Sequence, residues 1–392
     1  MGKLNLYLPP FASDYTGVCS ALFDLDCLTV VMDASCCTSH VVYWDEPRWA
    51  GYPRPTVSAQ LRSIDCILGN DDCLVDSIAA MQADIGASLL ALVGTPVPSI
   101  TGMDLEGLAF ELEGRCGVPA LGFSTGGFSS YEQGLWQAGS ALVDRFAAGE
   151  QQHPAHKINL LGLSPLDHGN CGNESDLRGA LENAGWQLGA SLFHGLDLQD
   201  LAGMGGAEIN LALSATGVRL AEKLRRTFGT AYVAACPMGT VHLAYVLSLL
   251  SGKTPLPSLA QKPSHSTLIV MDQVMGCSLR QALRLAGCGG EIHVGSFFYQ
   301  TDALALPGDL RFSSEAAFLR YLRQHPGITV IGDPLLEAAL QAENHPFYPF
   351  AHPAVSGKLH WQDVPRFLSP EFDHWLMELA AILQGSRFDL SL

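Results

Sequence analysis

The chain has 392 residues, too many for one ordinary core at roughly 150 residues per domain, so two or three domains are expected. A formal charge of −17, from 22 Lys and Arg against 39 Asp and Glu, leaves no basic stripe for displacing counterions from nucleic acid. No apolar run approaches the ~20 residues of a membrane span, and the opening segment meets proline too soon to read as a signal peptide.

In chain order, short apolar, β-branched runs alternate with helical patterns, as parallel βαβ units require. The first group of predicted strands is Leu28–Ala34, Ile64–Gly69, Ala87–Gly94 and Val118–Phe123. The polar stretch Gly149–His156 reads as a linker. A second group follows: Ile158–Leu163, Trp186–Leu192, Ile209–Ser214 and Tyr232–Cys236, with helices over Thr216–Phe228 and Val241–Leu250. The breaker-rich Ser251–Ser258 reads as another linker. A third group has Thr267–Met271, Glu291–Phe297 and Ile328–Ile331, and a helix is predicted from Pro370 to Gln384. The fold class expected is α/β, with three Rossmann-like, doubly wound parallel-sheet subdomains over residues 1–150, 151–258 and 259–392.

Eleven cysteines without a signal peptide point to a reducing, cytoplasmic setting in which thiols stay free or bind metal. Most read as small buried hydrophobes. Cys19 and Cys37 stand out because they flank the first predicted strand. The C-terminal edge of a strand in an open α/β sheet is where ligands dock, and thiolates there suit a soft metal or an iron–sulfur cluster.

Other motifs carry less. No GxxxxGK[ST] phosphate loop occurs, so the chain does not supply its own ATP hydrolysis. The loop His168–Asp176 follows a strand and enters a helix, and a plain cap by Asn173 or Ser175 explains it. Gly122-Phe-Ser-Thr-Gly matches a nucleophile elbow in form, but the loop continues past Ser124 where the elbow needs an immediate helix. In Tyr43–Trp49 the carboxylates read as salt-bridge partners of Arg48. A lone loop histidine such as His352 is usually solvated or a satisfied hydrogen-bonding group. In Val93–Ala109 the two prolines are expected to prevent immediate helix entry after the strand, with Thr101 or Asp104 capping the next helix.

Several segments together resemble the nitrogenase component 1 superfamily. They are Gly94-Thr…Thr101-Gly-Met-Asp-Leu-Glu, Asn210-Leu-Ala-Leu-Ser with its following helix, Cys236-Pro-Met-Gly, Asp272-Gln-Val-Met-Gly-Cys-Ser-Leu-Arg and Ile331-Gly-Asp-Pro. The resemblance implies three Rossmann-like domains per subunit and related subunits paired across a cluster held by cysteines of the first domain. Cys37 matches the cysteine after the family's early strand. Cys19 looks like the earlier cysteine of the protochlorophyllide-reductase type, and Cys36 is a neighbour able to substitute for Cys37.

The departures narrow the reading. The family's later cluster cysteine falls at about Pro96, and the middle cysteine of the β subunit falls near Thr56. An eight-iron cluster therefore lacks most of its ligands, whereas two thiolates from each of two chains complete a shared [4Fe-4S] cluster. The cysteine anchoring the nitrogenase active-site cofactor falls near Ser214, and His352 lies close to the other ligand. These two mark the cleft in which a further metallocofactor would sit. The expected function is a nitrogenase-like reductase subunit, with an ATP-dependent iron protein as electron donor and a homologous subunit or a second copy as partner. The alternatives are a metallocofactor assembly scaffold and a metal-free binding or regulatory module.

Overall fold

A computed structural model describes residues 4–62, 64, 71–149, 156–253 and 266–384. Three wholly parallel sheets organise them. The first has the order β2-β1-β3-β4, with β1 at Cys27–Val31, β2 at Thr56–Ser58, β3 at Leu89–Val93 and β4 at Ala120–Phe123. The second has the order β6-β5-β7-β8, from Lys157–Leu161 (β5), Gln187–Ser191 (β6), Ile209–Ala212 (β7) and Ala231–Ala234 (β8). The third has the order β11-β10-β9-β12-β13, from Ser266–Val270 (β9), Glu291–Ser296 (β10), Leu310–Arg311 (β11), Thr329–Gly332 (β12) and Phe347–Pro349 (β13).

The central strands β1, β3 and β9 read as unbroken apolar runs because helices cover both of their faces. Each sheet reverses strand order once, between β1 and β3, between β5 and β7, and between β9 and β12. Crevices at such switch points are where open α/β sheets bind ligands. The predicted strands overrun the observed ones by a few residues at their C-terminal ends. Those overrun residues, Asp33, Ser214 and Met271 among their neighbours, form the bends that carry the site.

Three details differ from the sequence reading, and one prediction lies beyond the described residues. Three short edge strands, β2, β11 and β13, were not predicted, because two or three residues beside proline or glycine carry no alternation to detect. The predicted strand Ile64–Gly69 and most of both predicted linkers lie outside the described residues. The prolines after β3 do not delay helix entry: Pro96 opens a short helix, Pro96–Thr101, where its missing N–H is no loss. Asp104 then caps the next helix, Leu105–Cys116, as expected, accepting from the Gly107 amide at 3.0 Å. Finally, Gly172 and not Asn173 is the N-cap residue of the Asn173–Asn183 helix. Asn173 instead holds the C-terminal segment, donating to Pro365 O and accepting from the Phe367 amide at 2.7 Å.

Two helices of the first unit pack backbone to backbone. The Asp14–Leu22 helix crosses the Tyr131–Phe146 helix at Gly17 and Gly134. A Cβ on Gly17 would meet the Tyr131 carbonyl, and one on Gly134 would meet the Asp14 carbonyl. Only glycine permits this approach.

Candidate functional site

The cysteines of the first unit occupy unlike surroundings. Cys19 lies inside the Asp14–Leu22 helix at 4% exposure, and burial pushes its thiol far above the ordinary range. Cys37 stands near the start of the short Cys36–His40 helix, half-buried, with its thiol raised by burial and hydrogen-bonded to the Tyr15 phenol. Tyr15 and Cys19 are four residues apart on one helix and so share a face. Cys19 belongs to the buried core of the first unit, and Cys37 packs against that same core from its partly buried edge. Cys36 faces solvent.

Backbone geometry sets the Cys37 loop. Asp33 accepts from the Thr38 amide at 2.8 Å, the Thr38 hydroxyl at 2.9 Å and the Ser58 hydroxyl at 2.6 Å, which turns the chain sharply after β1. Ser35 is held at φ +82°, in the left-handed region a non-glycine residue rarely adopts. Strain of this kind persists where the surroundings over-determine it. Beyond Cys37 the chain exposes Tyr43 and Trp44, and the Lys358 ammonium lies 5.9 Å from the Trp44 ring, next to exposed Leu359.

The carboxylates of that loop behave as expected in kind but are buried. Arg48 is 0% exposed and pairs with Glu46 and Asp24, both at 2.8 Å. Asp45 accepts from Thr16 at 2.7 Å and pairs with His40, whose ring is raised by that hydrogen bond.

A second constellation lies where the three sheets meet. Asp167 follows β5, Ser214 follows β7, Asp272 follows β9 and Asp333 follows β12, so the switch points contribute one polar side chain after another. His352 is buried among them at 1% exposure, hydrogen-bonded and not solvated, the second of the two roles expected of it. Its Nε2 lies 3.2 Å from Asp167 Oδ1, and its amide donates to Asp333 Oδ2 at 2.8 Å. The Tyr131 hydroxyl donates to the same Asp167 oxygen at 2.5 Å. Asp272 accepts from Ala215, Val274 and Met275 amides, and burial followed by the Asp167 charge pushes its carboxyl up. Sequence reading missed Tyr131, Asp167 and Asp272; of these only Asp272, two residues past an apolar strand, carries a local signal.

These residues do not fit a bulky second metallocofactor. The crevice beside His352 measures about 10 Å³, about enough for one water. Asp167 occupies His352 Nε2, and the Ser214 hydroxyl caps the Ala215–Phe228 helix by accepting from Gly217 at 3.3 Å. Among the described residues no group of three or more His, Cys, Asp or Glu is disposed to hold a metal ion.

Glu132 connects this centre to an open cleft. Its carboxylate accepts from the Tyr299 amide at 3.0 Å and from the Ser130 hydroxyl at 2.9 Å. Burial, then the neighbouring Asp272, raises it to about 8. In the unfolded chain the group ionises near 4.5, so over the window from about 4.5 to about 8 the unfolded state has lost a proton that the folded state keeps. Stability is therefore expected to fall as pH rises through that window. Urea midpoints measured across it should slope less in Glu132→Gln than in the parent. An equal slope would place the titration elsewhere.

Three doubly wound units, with the switch points of the second and third and a helix of the first lining one centre, define a class of multi-domain α/β proteins that bind ligands between sheets. Residues 15–254 match the family described as nitrogenase component 1 type oxidoreductase, and the chain belongs to that family. The fold is similar to that of nitrogenase Cp1 at pH 6.5, with a TM-score of 0.70 at 14% identity over 98% of this chain and 94% of that one. The structure of nitrogenase Cp1 at pH 5 is similar at a TM-score of 0.68 and 12% identity, over 98% and 90%. No curated protein matches the sequence. No helix among the described residues is long and apolar enough to cross a membrane.

Proposed function

We propose that the chain is the cluster-holding subunit of a nitrogenase-like reductase. Cys37 serves as one thiolate ligand and Cys19 as the second, with Cys36 able to replace Cys37. The observation that carries this reading is the half-buried Cys37 thiol, packed against the core that holds Cys19 and followed in the chain by the exposed Tyr43 and Trp44. A thiol reachable from outside suits a [4Fe-4S] cluster completed by a second copy or a paralogous subunit. When bound, such a cluster supplies one-electron transfer, and an ATP-dependent iron protein is the donor the family membership suggests. The chain's part is to hold and orient the thiols. Burial disfavours the free thiolates, so metal must displace their protons. Tyr15 fixes the Cys37 side chain by its hydrogen bond. The ten described cysteines are all free thiols, in keeping with a reducing, cytoplasmic setting.

Iron and acid-labile sulfide per chain after anaerobic purification test this reading, together with electron paramagnetic resonance of the reduced protein. About two irons per chain are expected for a shared four-iron cluster. Cys37→Ser should lose most of that iron and the resonance signal, and Cys36→Ser should lose much less. A folded, iron-free parent would overturn the reading and leave a metal-free binding module as the better account.

A further inference from the structure

A cleft of about 530 Å³ opens between the Tyr131–Phe146 helix, the Ala215–Phe228 helix and the edge of the third sheet at β11. Its size falls within the range of small-molecule sites. Arg219 and Arg311 both line it, together with Ser124, Ser129, Glu132 and Tyr299.

The electrostatics of this cleft run against those of the chain. Acidic residues outnumber basic ones 39 to 22 overall, yet neither cleft arginine has a carboxylate ion-pair partner among the described residues. The acids in the wall are already engaged. Asp14 accepts from the amides of Tyr15 at 2.8 Å, Gly126 at 3.2 Å and Gly127 at 2.7 Å. Glu132 is turned onto the Tyr299 amide and the Ser130 hydroxyl.

Arg219 is also fixed in place. Its guanidinium lies 4.3 Å from the Trp136 ring centroid and 4.9 Å from that of Tyr299, and it donates to Gln133 Oε1 at 3.3 Å. Burial lowers its proton affinity. The Glu132 and Glu222 carboxylates act on it from beyond ion-pair contact and offset burial only in part, so a half-buried cation held between two rings still gains from an anion in contact. Arg311 projects from an edge strand of the third unit and is exposed. Guanidinium groups from two different units therefore face one open volume.

We propose that this cleft binds a small organic oxyanion, whose carboxylate or phosphate group is held by Arg219 and Arg311. Guanidinium forks match both groups by paired N–H donors. The aromatic stack behind Arg219 keeps its charge from collapsing onto the acidic surface. The Ser124 and Ser129 hydroxyls line the same wall and offer further donors.

Calorimetric titration of the purified protein with tricarballylate, and separately with inorganic pyrophosphate, tests this and separates a carboxylate ligand from a phosphate one. At least one probe should bind saturably at one site per chain. Arg219→Gln and Arg311→Gln should each weaken that binding about tenfold or more, and Arg225→Gln, on the same helix but outside the cleft lining, should leave it unchanged. Arg311 is exposed, so its variant keeps the test valid even if Arg219→Gln unfolds. No saturable binding of either probe, or affinity that Arg311→Gln leaves unaltered, would overturn the proposal. Iron content is read on the same preparations and should not change with Arg311→Gln, so a failed anion site and a failed cluster site give different results.

Discussion

Arg48→Ala is expected to destabilise the protein by about 3–5 kcal/mol, the range for breaking one side of a buried ion pair. The guanidinium is fully buried and every nitrogen is used. Nε donates to Glu46 at 2.8 Å, Nη1 to Asp24 at 2.8 Å and to Phe193 O at 2.9 Å, and Nη2 to Ser20 O at 2.7 Å. Its carbon lies 4.5 Å from the Phe23 ring centroid. Burial alone would push the Asp24 carboxyl up, but Arg48 and the Gly195 amide hold it below its ordinary value. Removing the cation leaves Glu46 and Asp24 as buried charges without a partner. The same bonds clasp the first unit to the second, since Phe193 and Gly195 follow β6. Urea unfolding reads the effect directly. A loss below about 1 kcal/mol would put Arg48 in the class of surface pairs, contrary to its burial.

Gly134→Ala and Gly17→Ala should each cost about 3 kcal/mol or more, at the upper end of overpacking penalties. In both positions the added methyl group meets a carbonyl of the facing helix, which is backbone and has no rotamer to turn away. The two helices must separate, and both carry side chains of the proposed sites: Tyr15 and Cys19 on one, Tyr131 and Glu132 on the other. Gly179→Ala is the control. Nothing lies within 4 Å of its added Cβ in the Asn173–Asn183 helix, so stability should hold or rise by up to about 1 kcal/mol. If Gly134→Ala melts with the parent while Gly179→Ala behaves as stated, the close helix crossing is not a rigid feature of the fold.

Much of the architecture was written in local sequence. The runs at Leu28, Leu89, Ile158, Ile209 and Thr267 are short, mostly apolar and separated by helical patterns, so each declares a parallel strand by itself. Asp104 announces its helix in the same way, by one side chain and the amide three residues on. The placement of Cys37 was also legible, because the end of a strand and the loop after it are set within about ten residues.

What the sequence could not declare was which strand ends meet. Whether His352 is solvated or hydrogen-bonded stays open until the third sheet carries it against Asp167, 185 residues away in the chain. Arg48 reads as a loop cation until Phe193 closes over it. Glu132, Arg219 and Arg311 come from three separate units and share no motif, and only the crossovers bring them to one cleft. Periodicity and capping act over one turn or one strand, so the sequence by itself determined the units and the order of their elements. Burial, charge pairing and ligand geometry depend on packing between units, and those were decided only by the tertiary structure.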